Sequence, residues 1–156
     1  MRELMHPAMT LYETDFYAWV QQQANVLRTE EFEKLDLPNL IEELEAMALR
    51  DRRELTSCLI VLLMHLLRWQ YQPTPQGRSQ PRSWLNTITT QRHKIELILD
   101  DSPSLRRELS ARIDYAYPRA CLQASRKTGL SLTTFPSACS YTQEQILDHA
   151  FFPTAA

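Results

Sequence analysis

Apolar side chains recur at spacings of three, four or seven residues between positions 37 and 71. This is the period of one face of an α-helix, so the segment is predicted to form a single helix about 50 Å long. The rest of the chain is expected to pack around this helix, with the apolar stripe facing inward. The stripe consists of Leu37, Ile41, Leu44, Ala48, Leu55, Leu59, Leu62, Leu66 and Trp69.

The two halves of this predicted helix differ in character. Residues 37–54 carry charges on the outer face, whereas the run from Cys58 to Leu67 is apolar on every side except at His65. A helix that is apolar all round is normally buried all round. A membrane span needs about 20 such residues, and the run is shorter. We therefore expect a core segment, enclosed by other helices or by a second subunit, and no membrane insertion.

Helical patterns also occur on both sides of the long helix. They cover roughly residues 14–28, 83–99, 102–128 and 142–150. In the third of these, Pro118 is predicted to kink or break the helix and Gly129 to end it. Thr142 and Gln145 form a capping box for the last. The predicted inward stripe of the first consists of Tyr12, Phe16, Trp19, Val20, Gln23 and Leu27.

Composition favours helix over sheet, because the 156 residues include only two glycines while Leu, Arg, Glu and Gln are plentiful. The predicted fold is all-α: a helical bundle of four main helices plus a short C-terminal helix, organised around one long central helix. A single helical domain over residues 1–156 suits this length. Residues 1–10 are predicted to be a loose tail, and the proline-rich residues 73–81 a mobile loop.

Charge is unevenly distributed along the chain. Residues 1–67 hold 6 Lys/Arg and 12 Asp/Glu, a balance of −6, whereas residues 68–127 hold 11 and 5, a balance of +6. The two parts can attract one another inside the fold or offer a face to a charged partner. The three cysteines have no metal-like spacing, and the first residues do not form an apolar leader. These features predict a reduced, cytoplasmic setting.

Several polar side chains fall on or beside predicted inward stripes. Asp51 lies near the stripe of the long helix, Gln91 lies at the centre of the stripe of the helix at 83–99, and Arg92 flanks it. A buried charge is costly unless it is paired, so Asp51 is expected to pair with Arg92, bridged by Gln91 or His65. Such a cluster either fixes the helix register or forms a ligand site. The candidate binding residues are therefore Asp51, His65, Gln91 and Arg92.

Motifs for catalysis, metals and cofactors are missing from the sequence. Two glycines cannot build a phosphate loop or a dinucleotide fingerprint, and the only Glu-x-x-His, at Glu3–His6, adjoins a proline. Glu43, Glu54 and His65 align on the long helix, but successive members are about 16 Å apart and cannot share one ion. We predict no metal site and no cofactor. The sequence does not decide whether the protein is an enzyme.

The segment from residue 68 to 94 interleaves basic residues with Trp69, Tyr71 and Trp84. Basic and stacking residues around a loop are typical of nucleic-acid contacts, although both tryptophans also lie on predicted inward stripes. The candidate nucleic-acid contacts are Arg68, Arg78, Arg82 and Lys94.

Six blocks resemble a known family: YETDFYAWV at 12–20, LPNLIEELEAM at 37–47, LLMHLLRWQYQP at 62–73, RSWLNTITTQR at 82–92, SPSL at 102–105 and FPSACSYTQEQILD at 135–148. They are similar, over nearly the whole chain, to the bacterial, largely cyanobacterial, domain-of-unknown-function family twenty-nine. The resemblance implies a small, all-helical cytoplasmic protein with no assigned reaction, and it brings no catalytic or ligand residues. The blocks include Asp15, Glu43, His65, Trp69, Gln70, Arg82, Trp84, Gln91 and Arg92.

Three functional hypotheses follow from these patterns. The leading one is a non-catalytic interaction module that binds a protein partner or self-associates, through the run Cys58–Leu67 or the aromatic terminus at Phe151 and Phe152. The first alternative is a nucleic-acid-associated protein, such as one half of a toxin–antitoxin-like pair, that uses residues 68–94. The second is a hydrolase or metal-dependent enzyme with a site near His65.

Overall fold

The computed structural model describes residues 8–74 and 79–156, and every regular element in these two ranges is helical. The prediction of an all-α fold is therefore confirmed. Three short 3₁₀ turns connect the helices, at Phe32–Lys34, Pro103–Glu108 and Leu132–Thr134. The helices are α1 (Leu11–Thr14), α2 (Phe16–Arg28), α3 (Leu37–Tyr71), α4 (Arg82–Asp101), α5 (Leu109–Thr128) and α6 (Gln143–Leu147).

The chain divides into two compact units, an N-terminal unit of residues 1–49 and a C-terminal unit of residues 50–156. The division falls inside α3, which has the bounds predicted from its apolar period. The prediction of one domain over the whole chain stays a prediction. Residues 1–7 of the predicted loose tail and residues 75–78 of the predicted mobile loop lie outside the described residues, and the described residues of both segments form neither helix nor strand.

The core of the C-terminal unit is built around the second half of α3. Leu59, Leu62 and Leu66 on this helix are fully buried. They pack in one apolar cluster with side chains of α4, α5 and α6, in which the small residues of α5 allow a close approach of its backbone. The cluster also includes Ile88, Ile95, Leu99, Ile113, Ala116, Ala120, Ala124 and Ile146.

The run Cys58–Leu67 is therefore enclosed by helices of its own unit, which was one of the two predicted arrangements. The aromatic terminus is also packed, since the ring of Phe152 lies 4.7 Å from that of Trp69 and the ring of Phe151 lies 6.0 Å from that of Tyr141. Most side chains of both segments pack within this unit, although Ile60, Val61, Phe151 and Phe152 are only half-buried. Self-association through these two segments stays a prediction.

The ends of the last two helices follow the predicted chemistry. Gly129 follows α5 in the left-handed conformation, with φ 75°, where a side chain would be strained. Thr142 and Gln145 form the predicted capping box at α6. Of the kink or break predicted at Pro118, the break does not occur, because α5 continues through this residue, and the kink stays a prediction. Packing of the flanking alanines in the core outweighs the lost backbone hydrogen bond.

The N-terminal unit is a helical hairpin in which α1 and α2 run antiparallel to the start of α3. The Tyr12 hydroxyl donates to Glu43 at 2.6 Å, while Trp19 Nε1 donates to Asp36 at 3.0 Å. The Gln23 side chain accepts from the backbone N–H of Asp36 at 2.8 Å. Later residues of the first arm, α1 and α2, therefore bond to earlier residues of the second arm, as expected for antiparallel helices.

The helix predicted over residues 14–28, with Thr14 or Asp15 at its start, corresponds to α2, and Asp15 is its N-cap at φ −150°. Its carboxylate accepts a hydrogen bond from the backbone N–H of Ala18 and so caps α2.

None of the helices in the two described ranges has both the length and the hydropathy required to span a bilayer.

Candidate functional site

The four residues of the predicted polar cluster do not meet in one site. Asp51 is exposed, and its carboxylate lies 3.5 Å from the hydroxyl of Ser102. Within residues 8–74 and 79–156 no ion pair joins Asp51 to Arg92, and Gln91, which is half-buried, makes no side-chain hydrogen bond. The expected Asp51–Arg92 pair is therefore wrong, because Asp51 stays in water and needs no buried partner.

Arg92 is the most deeply buried charged side chain described, with 1% of its surface exposed. Its Nε donates to the carbonyl of Ile146 at 2.8 Å, and its Nη2 donates to the carbonyl of Gln145 at 3.2 Å. The guanidinium also lies 5.5 Å from the ring centroid of Phe152. Burial lowers the pKa of Arg92, an effect that the negative charge of Asp148 opposes.

The two carbonyls that Arg92 binds belong to the last turn of α6, where a helix leaves its acceptors unpaired. A cation at this end also complements the helix dipole. Because α6 has only five residues, it depends on such external contacts for its stability. Arg92 is thus a positioning residue that fixes α6 against α4.

His65 is half-buried, and its Nδ1–H donates to the carbonyl of Val61 one turn earlier, at 2.9 Å. Burial lowers the pKa of His65, although the bond to Val61 acts in the opposite direction. A neutral imidazole with one nitrogen engaged by its own helix is typical of a structural histidine. Among the described residues, no group of three or more His, Cys, Asp or Glu side chains is placed to hold a metal ion.

The basic candidates of residues 68–94 lie in different environments. Arg68 packs over the ring of Trp84, 4.3 Å from its centroid, and donates from Nε to Gln72 at 3.0 Å. Arg82 and Lys94 are exposed on α4. The candidate Arg78 lies outside the described residues.

The aromatic side chains of the same segment are engaged inside the C-terminal unit. Trp84 is buried, Trp69 packs on Phe152, and the ring of Tyr71 lies 5.5 Å from that of Phe135. Stacking on bases requires free aromatic faces. In the described part of this segment, the positive charges of Arg82 and Lys94 are exposed, whereas the aromatic rings pack against other side chains of the unit.

Two clefts of the C-terminal unit offer limited chemistry. The first, of about 210 Å³, brings Asp51 and Lys94 to the same rim as Glu54, Asp101 and Ser102.

The second cleft, of about 300 Å³, is lined mainly by apolar residues together with Cys121. Burial raises the pKa of the Cys121 thiol, although the neighbouring Tyr117 side chain opposes this rise. The raised pKa keeps the sulfur protonated and weakly nucleophilic at neutral pH.

The most unusual surface lies in the N-terminal unit. Of the seventeen large hydrophobic side chains that are exposed among the described residues, twelve belong to residues 8–49. Six of the twelve form two stripes at helical spacing, and each of the six exposes between 43% and 63% of its surface. We call these six the hairpin face: Phe16, Val20 and Leu27 on α2, and Leu37, Ile41 and Leu44 on α3.

Both stripes lie on the same side of the hairpin. On α2 the stripe is turned by about 70° from the buried side formed by Trp19, Gln23 and Val26. On α3 the stripe is turned by about 100°, in the same rotational sense, from the side that contacts α1 and α2. Equal senses of rotation in two antiparallel helices bring the stripes to one face. The hairpin face is therefore a pair of apolar stripes on the same side of the hairpin.

Polar anchors hold the hairpin in this arrangement. Asp36 accepts hydrogen bonds from Asn39 at 2.8 Å and from Trp19, and the bond from Asn39 is the main cause that lowers the pKa of Asp36. The hydrogen bond to Glu43, with smaller effects of burial and nearby acidic charge, raises the pKa of Tyr12 to about 12. These bonds fix which side of α3 faces α2 and leave the apolar stripe outside.

The sequence pattern contained the six residues of the hairpin face but predicted the wrong environment for them. All six were expected to face inward, and all six are exposed. Periodicity identifies an apolar stripe without identifying what covers it. One feature of the sequence could have indicated this exposure. The apolar stripe of α3 is long, whereas the helices that precede it, α1 and α2, are too short to cover it.

Taken together, the helices and their contacts define an all-α protein with exposed apolar side chains on its N-terminal unit. The model of the family DUF29, described as a domain of unknown function, matches residues 11–152, nearly the whole chain. The chain belongs to this family, which confirms the resemblance drawn from its sequence blocks. No curated protein and no solved structure matches the chain.

Proposed function

We propose that this protein is a non-catalytic, cytoplasmic interaction module whose binding surface is the hairpin face. The observation that carries the proposal is the exposure of six large apolar side chains on one side of a single hairpin. Contiguous apolar patches of several hundred Å² on soluble proteins mark binding sites for partners. The C-terminal unit would then act as a stable scaffold, because its core is buried and Arg92 holds α6 in place.

The amino-acid content of the face suits a helical or hairpin-shaped protein partner. Anchors on α3 stand at positions 37, 41 and 44, and those on α2 at 16, 20 and 27, which are spacings of helix-to-helix contacts. Aliphatic residues together with Phe16 provide the desolvated centre that such interfaces need.

The other two hypotheses have less support. A nucleic-acid-associated role retains the exposed Arg82 and Lys94, but Trp69, Tyr71 and Trp84 pack against other side chains of the C-terminal unit. A hydrolase or metal-dependent role near His65 would need further ligands or a nucleophile beside it, and His65 contacts its own helix instead. We place both behind the interaction module.

In-cell photocrosslinking tests the proposal. A benzophenone amino acid at position 44 should give a discrete protein adduct, because a partner would lie directly over this residue. The matched control carries the same group at Leu97, an exposed apolar residue of α4 outside the face. Absence of an adduct at position 44, or equal adducts at both positions, would refute the proposal.

A further inference from the structure

The N-terminal unit has too small a core for its size. Its buried side chains, among residues 8–49, are only Trp19, Gln23 and Val26. Units of this length rarely fold on so little buried surface unless a metal, a disulfide or association supplies more. The three cysteines of the chain all lie in the C-terminal unit. A partner that covers the hairpin face would therefore stabilise this unit, and would do so most if it were always present.

We propose that this partner is a second copy of the chain, and that two hairpins pack face to face into a four-helix bundle. The inference rests on the proposed function, because it names the occupant of the same surface. A copy of the same chain is present at equal concentration at all times, as a constitutive partner must be. Two antiparallel hairpins with apolar inner faces are also the usual components of such bundles.

The size of the face agrees with this assembly. Each of the six side chains is about half exposed, which leaves on the order of 500 Å² per copy and 1,000 Å² in a dimer before rim residues are counted. The rim includes Tyr17, of which 76% is exposed. A specific interface needs a total of about 1,000–1,200 Å², so the face is sufficient. A two-fold axis makes the surface self-complementary and closes the assembly at two copies.

Charge gives the association a characteristic dependence on salt. Residues 1–49 hold 3 Lys/Arg and 10 Asp/Glu, a balance of −7. Between Phe16 and Leu27, however, α2 carries no charged residue, so the centre of the α2 stripe can be desolvated at low cost. Two like-charged units repel one another, and salt screens this repulsion. The dimer should thus tighten as salt rises, whereas a basic partner would bind less tightly.

Sedimentation equilibrium of the full chain tests the proposal. The wild type should reach twice the chain mass of 18.3 kDa, with a dissociation constant that falls between low salt and about 0.5 M NaCl. The double variant Ile41→Glu, Leu44→Glu should weaken the dimer at least about 100-fold, because it buries four unpaired carboxylates. The matched control Leu97→Glu, Leu122→Glu changes two exposed apolar residues of the C-terminal unit and should dimerise like the wild type.

Two measurements separate failure of folding from failure of association. Far-UV circular dichroism and the urea midpoint of the C-terminal unit should be the same in both variants and the wild type. A wild type that stays monomeric at about 100 µM in high salt, or an Ile41→Glu, Leu44→Glu variant that dimerises normally, would overturn the inference. The photocrosslink at position 44 then distinguishes the two proposals: an adduct with another protein leaves the proposed function standing, and no adduct refutes both.

Discussion

Replacement of Arg92 by alanine should strongly destabilise the C-terminal unit. The substitution removes the charge-assisted bonds to the carbonyls of Ile146 and Gln145, at 2.8 and 3.2 Å, in a place where only 1% of the side chain is exposed. Each such bond contributes about 1.5–3 kcal/mol, part of which the desolvation of the guanidinium offsets. With the cavity left by the truncated side chain, the expected loss is about 3–4 kcal/mol of unfolding free energy.

Arg92→Met separates the contribution of the hydrogen bonds from that of the cavity, because methionine fills most of the side-chain volume of arginine but cannot donate a hydrogen bond. We expect it to cost about 1.5–2 kcal/mol, less than the alanine variant. Arg82→Ala is the matched control, since Arg82 lies on the same helix, is exposed and makes no side-chain hydrogen bond within the described residues. Its effect should stay below about 0.5 kcal/mol.

Urea unfolding measures these differences. The chain has three tryptophans, and Trp19 is the one in the N-terminal unit. In a Trp19→Phe background, the fluorescence of Trp69 and Trp84 therefore reports on the C-terminal unit alone. Amide hydrogen exchange should also accelerate over residues 143–153 in Arg92→Ala before it does so elsewhere. A loss below about 1 kcal/mol would refute the structural role assigned to Arg92 and return it to the candidates for ligand binding.

Three further predictions concern packing and pH. Leu59→Ala, at a fully buried position, should cost about 2–5 kcal/mol, whereas Leu44→Ala on the same helix should cost less than about 0.5 kcal/mol when measured on dilute monomer; equal losses would contradict the difference in burial. The raised pKa of Tyr12 means that its stabilising bond to Glu43 is fully present below about pH 10 and is lost as pH rises through about 12. Alkaline titration should therefore change the fluorescence of Trp19 between these pH values in the wild type and not in Tyr12→Phe. The lowered pKa of His65 means that the unfolded chain binds this proton at a higher pH than the folded chain, so the C-terminal unit should lose stability as pH falls from 6.5 through the folded-state pKa. The urea midpoint of His65→Phe should change less over that range. An identical pH dependence in the variant and the wild type would show that His65 is not the group concerned.

The elements of the fold were largely predictable because they depend on local chemistry. The bounds of α3, the left-handed Gly129 and the capping box at Thr142 all follow from periodicity, backbone freedom and side-chain hydrogen bonding over a few residues. The break expected at Pro118 did not occur, because burial of neighbouring alanines outweighs one missing backbone bond.

The candidate site was less predictable because it depends on which faces meet. Arg92 was expected beside an inward stripe as the partner of Asp51, but its partners are backbone carbonyls some fifty residues away, and carbonyls leave no mark in the sequence. The stripe of Leu37, Ile41 and Leu44 was identified as apolar, yet its exposure follows from the anchoring of α1 and α2 on an adjacent side of α3. Tertiary placement of this kind cannot be derived from one helix alone.

Hydroxyl-radical footprinting across a concentration series tests most directly whether the hairpin face is covered by a second copy. Phe16, half exposed at the centre of the face, is a reactive probe, and Tyr115 on α5, exposed to a similar extent, is the internal control. We expect oxidation of Phe16 to fall several-fold as the concentration rises through the dimer transition, while oxidation of Tyr115 stays constant. Equal oxidation of Phe16 at all concentrations would contradict the account.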